Sequence, residues 1–270
     1  FQVAAGATLG LGASLTFDPN STVTGAGNVF ISRTVREYQQ YLQPWYNGAA
    51  PLAVTFDGRY AVTGTTTIDT IPVIFNHDTT LNNLQLTEAS LSGTGNLTLA
   101  GSGSHVGPLS WTGGPTWSGG TISNPALTVT GDLTMQRPGS GTTTLDGTAL
   151  TIAAGANLSL FPRGLTQLYL ANHAAITNNG NLLVGSAQFT LANPFDPADP
   201  SPGVITNNGT FTVLHGLGMS THLVFNNNGI IEVYSSTQLA SHGEDSKDAV
   251  LNVKEGAFLS LGSRSLGGTL

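Results

Sequence analysis

Apolar and polar residues alternate along most of the chain, in short runs broken by Gly or Asn-Gly. Ile176-Thr177-Asn178-Asn179-Gly180-Asn181-Leu182-Leu183-Val184 shows the form: two alternating runs joined by a corner. Alternation sends successive side chains to opposite faces of an extended chain and predicts half-buried strands. Asn-Gly supplies the positive φ of a sharp corner at little steric cost. The wording returns in Ile205-Thr206-Asn207-Asn208-Gly209-Thr210-Phe211-Thr212-Val213 and in Phe225-Asn226-Asn227-Asn228-Gly229-Ile230-Ile231-Glu232-Val233. Weaker versions run over Thr24–Ile31, Ser92–Leu99, Ala154–Leu160 and Lys254–Leu261. Gly131, Gly155, Gly180, Gly209, Gly229 and Gly256 are separated by 24, 25, 29, 20 and 27 residues.

Strands joined by Asn-Asn-Gly could also fold as antiparallel hairpins. The spacing favours a solenoid, because each repeat holds enough chain for a whole coil and the corners recur at one phase of it. In such a coil equivalent side chains stack about 4.8 Å apart, so Asn178, Asn207 and Asn227 are expected to form a hydrogen-bonded ladder inside the corner. The prediction is an all-β parallel β-helix, a single β-solenoid over residues 1–270 with no internal boundary. Roughly ten coils would make a rod on the order of 50 Å long.

Two stretches break the period. Residues 192–203 carry Pro194, Pro197, Pro200 and Pro202, too many for a central strand, and are expected to loop out from a corner. Residues 33–51 hold the capping box Thr34-Val35-Arg36-Glu37 and a helical stripe of Val35, Tyr38 and Leu42 ended by Pro44. This predicts one short helix, rich in Tyr38, Tyr41, Trp45 and Tyr46, that docks on the rod's flank, covers an open coil edge or contacts another subunit.

Composition narrows the function classes. Only 9% of residues are charged, whereas 39% are hydrophobic, and the chain has 35 Gly, 13 Pro and no Cys. Typical soluble domains carry about 25% charged residues. No apolar run is long enough for a membrane helix, and disorder would call for high charge with low hydrophobicity. Net charge is −7, and the few Lys and Arg are scattered, which argues against nucleic acid. Disulfides and thiolate chemistry are absent. In a stack, columns of like charge would repel at every step, so a Thr, Ser and Asn surface suits the repeat. The chain begins at Phe1 and runs in a strand-like pattern to Leu270, which suggests a processed protein or a piece of a longer one.

Trp111-Thr112-Gly113-Gly114, Trp117-Ser118-Gly119-Gly120-Thr121-Ile122-Ser123 and Thr142-Thr143-Thr144-Leu145-Asp146-Gly147-Thr148 are similar to the Gly/Thr-rich repeats of large bacterial cell-surface and extracellular-matrix proteins. Tyr60–Ile68 and Leu91–Thr98 resemble the same spacing, and the likeness covers most of residues 55–262. It implies a right-handed β-helix, secreted or surface-attached, that serves as a stalk, adhesin or fibre subunit. The 33–51 and 192–203 stretches depart from the pattern.

Parallel β-helices also host polysaccharide lyases and hydrolases, which need paired carboxylates, or calcium-binding acids beside a base. Glu244-Asp245 is the chain's one adjacent acidic pair, within His242-Gly243-Glu244-Asp245-Ser246-Lys247-Asp248. That segment reads first as a solvated turn between coils. Glu244, Asp245 and Asp248 could hold calcium, as could Asp196 and Asp199 in the Pro-rich loop; no other cofactor is expected. The histidines, at 77, 105, 173, 215, 222 and 242, lack metal-ligand spacing and read as surface or turn residues. Trp111 and Trp117 could stack on a sugar, although core or flank packing explains them as well. The Thr-x-Thr pairs Thr65/Thr67, Thr128/Thr130 and Thr142/Thr144 would suit an ice-binding face, but they do not keep the period.

A β-helix leaves an unpaired strand edge at each end, and such edges template further pairing. The leading expectation is therefore a non-enzymatic building block that meets itself head to tail, in a filament or within a longer chain. A glycan-binding adhesin segment is the alternative, and a polysaccharide-degrading enzyme stands third.

Overall fold

Among the described residues the alternating runs form 34 strands, the longest of six residues. The computed structural model describes residues 1–12, 14–32, 53–87, 89–101, 116–117, 120–135, 141–160, 166–185, 189–192, 203–215, 217–219, 223–239, 242–261 and 264–266. Among these residues there is no helix, and so none long and apolar enough to cross a membrane. The predicted helix within 33–51 and the loop residues 193–202 lie outside the described residues.

Among the described strands every pairing is parallel, and each strand pairs with the third one along the chain. The chain thus visits three faces in rotation. The first face consists of a three-stranded sheet, ending at Arg59–Val62, and a nine-stranded sheet that begins at Thr79–Asn82. The second and third faces are sheets of eleven strands, beginning at Thr8–Leu11 and Leu15–Phe17. The Asn-Gly corners join strands of different sheets: Ala175–Asn178 belongs to the first face and Asn181–Val184 to the second. The hairpin alternative is therefore excluded for the described strands. The arrangement is compatible with a parallel β-helix, and the eleven described strands of the second and of the third face agree with the repeat length read from the sequence.

Strand alternation builds the core. Leu127, Leu150, Ile176, Ile205 and Phe225 occupy successive register positions of the first face, and all are almost completely buried. Such columns merge into one cluster that runs from Val3 to Leu239. Burial of each Leu, Ile or Phe contributes about 1.5–3 kcal/mol. Near the start of the stack the column becomes aromatic. Phe17, Phe56 and Phe75 lie in register on the third face with nearly parallel rings, 4.8 and 5.1 Å between centroids. Tyr60 meets Phe56 and Phe75 edge-on, and its hydroxyl lies 2.7 Å from the Thr66 hydroxyl.

Two of the weaker sequence repeats fall at other corners. Gly131, Gly155, Gly180, Gly209 and Gly229 all follow first-face strands. Gly256 instead lies between Val250–Val253 of the second face and Leu259–Leu261 of the third. Gly93 and Gly95 lie between the third face and the first. The structural counterpart of the Gly229 corner is the Ser246–Ala249 turn, closed by a backbone bond from Ala249 N to Ser246 O. A local Gly motif marks a corner without specifying which sheet follows it.

Candidate functional site

The corner from the first face to the second carries the most ordered side-chain chemistry. Asn178, Asn207 and Asn227 take the inward position where the first-face strand ends, in register and buried. Asn178 Nδ2 donates to Asn207 Oδ1 at 2.7 Å and to the Thr210 carbonyl at 2.9 Å. Asn207 Nδ2 repeats this toward Asn227 Oδ1 at 2.8 Å and the Ile230 carbonyl at 3.1 Å. Gly180 and Gly229 N–H each donate to the Oδ1 of the asparagine two residues earlier, at 3.2 Å. A primary amide has two donors and an acceptor with two lone pairs, so it can bridge layers and still tie down its own corner. Asn227 Nδ2 has no hydrogen-bond partner among the described residues, and the next register position holds Asp245.

A second file runs on the outside of the same corner with the opposite polarity. Asn228 Nδ2 donates to Asn208 Oδ1, and Asn208 Nδ2 to Asn179 Oδ1, each at 2.9 Å. Similar files start on an aspartate. Asn181 donates to Asn157 at 2.8 Å and Asn157 to Asp132 at 2.6 Å, while Asn76 donates to Asp57 at 2.6 Å. Asn172 likewise donates to Asp146. An ionised carboxylate only accepts, so it fits the end of a file that receives a donor. This use of Asp132, Asp57 and Asp146 accounts for part of the chain's scarce charge. The sequence reading missed it, although an Asp one period ahead of an Asn was a readable signal.

The acidic segment is strand and corner together. Gly243–Asp245 is a strand of the nine-stranded sheet, and alternation sends its two acids to opposite faces. Glu244 is exposed, whereas Asp245 is only 6% exposed. Asp248 is exposed and pairs with Lys247 at 2.8 Å. The reading of the whole segment as a solvated turn is therefore corrected for Asp245. The missed signal was the match of His242-Gly243-Glu244-Asp245 to Val224-Phe225-Asn226-Asn227, which puts Asp245 in the asparagine position. Among the described residues, no group of three or more His, Asp or Glu could hold a metal ion. A groove of about 710 Å³ crosses this part of the first face, lined among others by Thr206, Asn226, Asn228, His242, Glu244 and Ser246. Asn226 Oδ1 accepts from Glu244 N–H at 3.2 Å.

Tyr38, Tyr41, Trp45, Tyr46, Trp111, Asp196 and Asp199 lie outside the described residues. Trp117 is in a second-face strand, in register with Leu86 and Met135. His77, His173, His215 and His242 are exposed, and His105 and His222 lie outside the described residues. The three Thr-x-Thr pairs fall on three different faces. A single threonine file does hold one face: Thr80, Thr98, Thr128, Thr151, Thr177 and Thr206 follow each other in register on the outside of the nine-stranded sheet.

Burial changes abruptly in the last described layer. Val233 is fully buried, but Val253, its register partner one layer on, is 45% exposed. Leu251, Leu259 and Leu261 are half-buried where Ile231 and Leu239 are fully buried, and Phe258 is 64% exposed. Inward-facing apolar residues thus lie exposed at this end, and among the described residues Val250–Val253 pairs along one edge only, with Ile230–Val233. Comparison with protein-family models, curated proteins and solved structures finds no match for this chain.

Proposed function

We propose that the chain is a rod-like building block of a bacterial surface or matrix fibre, a right-handed parallel β-helix whose layers continue end to end. The supporting observation is the exposure of the last described strands of the second and third faces, where Leu251, Val253 and Leu261 continue core columns but are half-buried or exposed. Exposed apolar columns beside unpaired backbone groups favour pairing with another layer. In this reading the layer is supplied by a second copy, or by further repeats where the chain is part of a longer one. A head-to-tail contact that does not close gives an open filament. Its mechanics rest on continuous hydrogen-bond ladders, a dry core and neutral Thr and Asn files that stay hydrated without mutual repulsion. The reading places the protein outside the cell and assigns it no catalytic step.

Sedimentation velocity over a range of concentrations tests the proposal, with Val253→Lys beside the wild type. The wild type is expected to sediment faster as concentration rises, and the variant to stay at the size of one chain. A wild type that remains a single chain throughout would overturn end-to-end assembly.

A further inference from the structure

Asn179-Gly180, Asn208-Gly209 and Asn228-Gly229 share one corner, and their asparagines form the exposed outer file. Asn-Gly is chemically labile because glycine, lacking Cβ, lets its nitrogen approach the preceding side chain. In Asn228-Gly229 the Gly229 nitrogen would bond to Asn228 Cγ as the Cγ–Nδ2 bond breaks and ammonia leaves. One water then opens the cyclic imide to aspartate or isoaspartate. Two things must happen first: the carboxamide must leave its partners, and the glycine nitrogen must give up its proton.

The structure restrains the three sites unequally. Asn208 is held at both ends of its carboxamide, donating to Asn179 and accepting from Asn228. All three glycine N–H groups are engaged, Gly209 with the Asn178 carbonyl at 2.9 Å and Gly180 and Gly229 with Asn178 and Asn227 Oδ1 at 3.2 Å, so the carboxamide contacts set the difference. Within this file Asn179 is held through its oxygen alone and Asn228 through its amide alone. The ends also differ in what their products can do. Aspartate at 179 still accepts from Asn208, as Asp132 accepts from Asn157 in the neighbouring file. Aspartate at 228 has no donor for Asn208 Oδ1 and sets a carboxylate against it.

We propose that the outer asparagine file is a modification site with a built-in order. Deamidation of the folded protein starts at Asn179 and Asn228, and it reaches Asn208 only on chains already converted at Asn228. Aspartate formed at 179 leaves the file closed, whereas aspartate formed at 228 opens it.

The test is a time course of the full chain at mildly alkaline pH, read by mass spectrometry of intact chains and of peptides that separate Asn, Asp and isoaspartate. Wild type, Asn179→Asp, Asn228→Asp and urea-unfolded wild type are compared. In folded wild type, Asn208 is expected to convert about tenfold or more slowly than in the unfolded chain, with Asn179 and Asn228 between. Asn228→Asp should speed conversion of Asn208 severalfold, and Asn179→Asp should leave it unchanged. Because Asn228→Asp could also loosen the fold, the wild-type time course carries its own reading: chains modified at Asn208 should already be modified at Asn228. Chains modified at Asn208 alone, or equal rates in folded and unfolded protein, would overturn the proposal.

Discussion

Single amides and hydroxyls hold the inner corner, and their replacement should cost more than their exposed counterparts would. Asn207 donates upward to two acceptors and accepts from Asn178, all while buried. Asn207→Asp removes both donors and buries a carboxylate, so a loss of roughly 3 kcal/mol is expected from denaturant midpoints. Tyr60 gives a pH signature. Burial pushes its hydroxyl well above the ordinary tyrosine range, with the Thr66 hydrogen bond pulling the other way to a smaller extent. The unfolded chain loses that proton near pH 10 while the folded chain keeps it. The contribution of Tyr60 is therefore complete below about pH 10 and falls as pH rises toward its folded pKa. Tyr60→Phe should cost about 1 kcal/mol at neutral pH through the stranded Thr66 hydroxyl. It should also flatten the alkaline decline, as denaturant midpoints at neutral and alkaline pH would show.

The elements were legible where the wording repeats. Alternation at 176–184, 205–213 and 225–233 predicts both the strands and the inward asparagines, because these three corners have the same length. Elsewhere corner length varies and hides the columns. The threonine file advances by 18, 30, 23, 26 and 29 residues from Thr80 to Thr206, so no fixed period finds it. Gly256 was placed at the wrong corner for a related reason: its turn chemistry is local, while its sheet assignment depends on all the strands before it. The Asp245 position needed an alignment of layers, since its neighbours Glu244 and Lys247 read as solvent-facing.

Corner glycines separate two demands. A Cβ on Gly209 would come within 2.1 Å of the Gly180 carbonyl oxygen, so the stacked corners would have to part. A Cβ on Gly155 meets open space, and only its φ of +79° is unfavourable. Gly155→Ala should cost about 1 kcal/mol, and Gly209→Ala at least twice as much, roughly 2–4 kcal/mol. Equal losses in thermal or denaturant unfolding would mean that backbone conformation, and not layer spacing, sets the corner.

For the whole molecule, the low charge becomes a consequence of stacking. Several of the described charges sit where a column can use them. Asp57, Asp132 and Asp146 accept from asparagines of the next layer, and Lys254 lies 3.8 Å from Glu232 and over the Tyr234 ring. Eleven layers at about 4.8 Å per step give a stack on the order of 50 Å long. Its buried apolar cluster runs from Val3 to Leu239, and half-buried Leu251, Leu259 and Leu261 pack against it in the layer that holds Val253 and Phe258. That continuity is the reason to expect a filament and not a closed particle. Electron microscopy of wild type and Val253→Lys over a range of concentrations tests this most directly. Straight rods should lengthen with concentration in steps of about 50 Å in the wild type and stay at one step in the variant. Dispersed particles about 50 Å long in both proteins at every concentration would contradict the account.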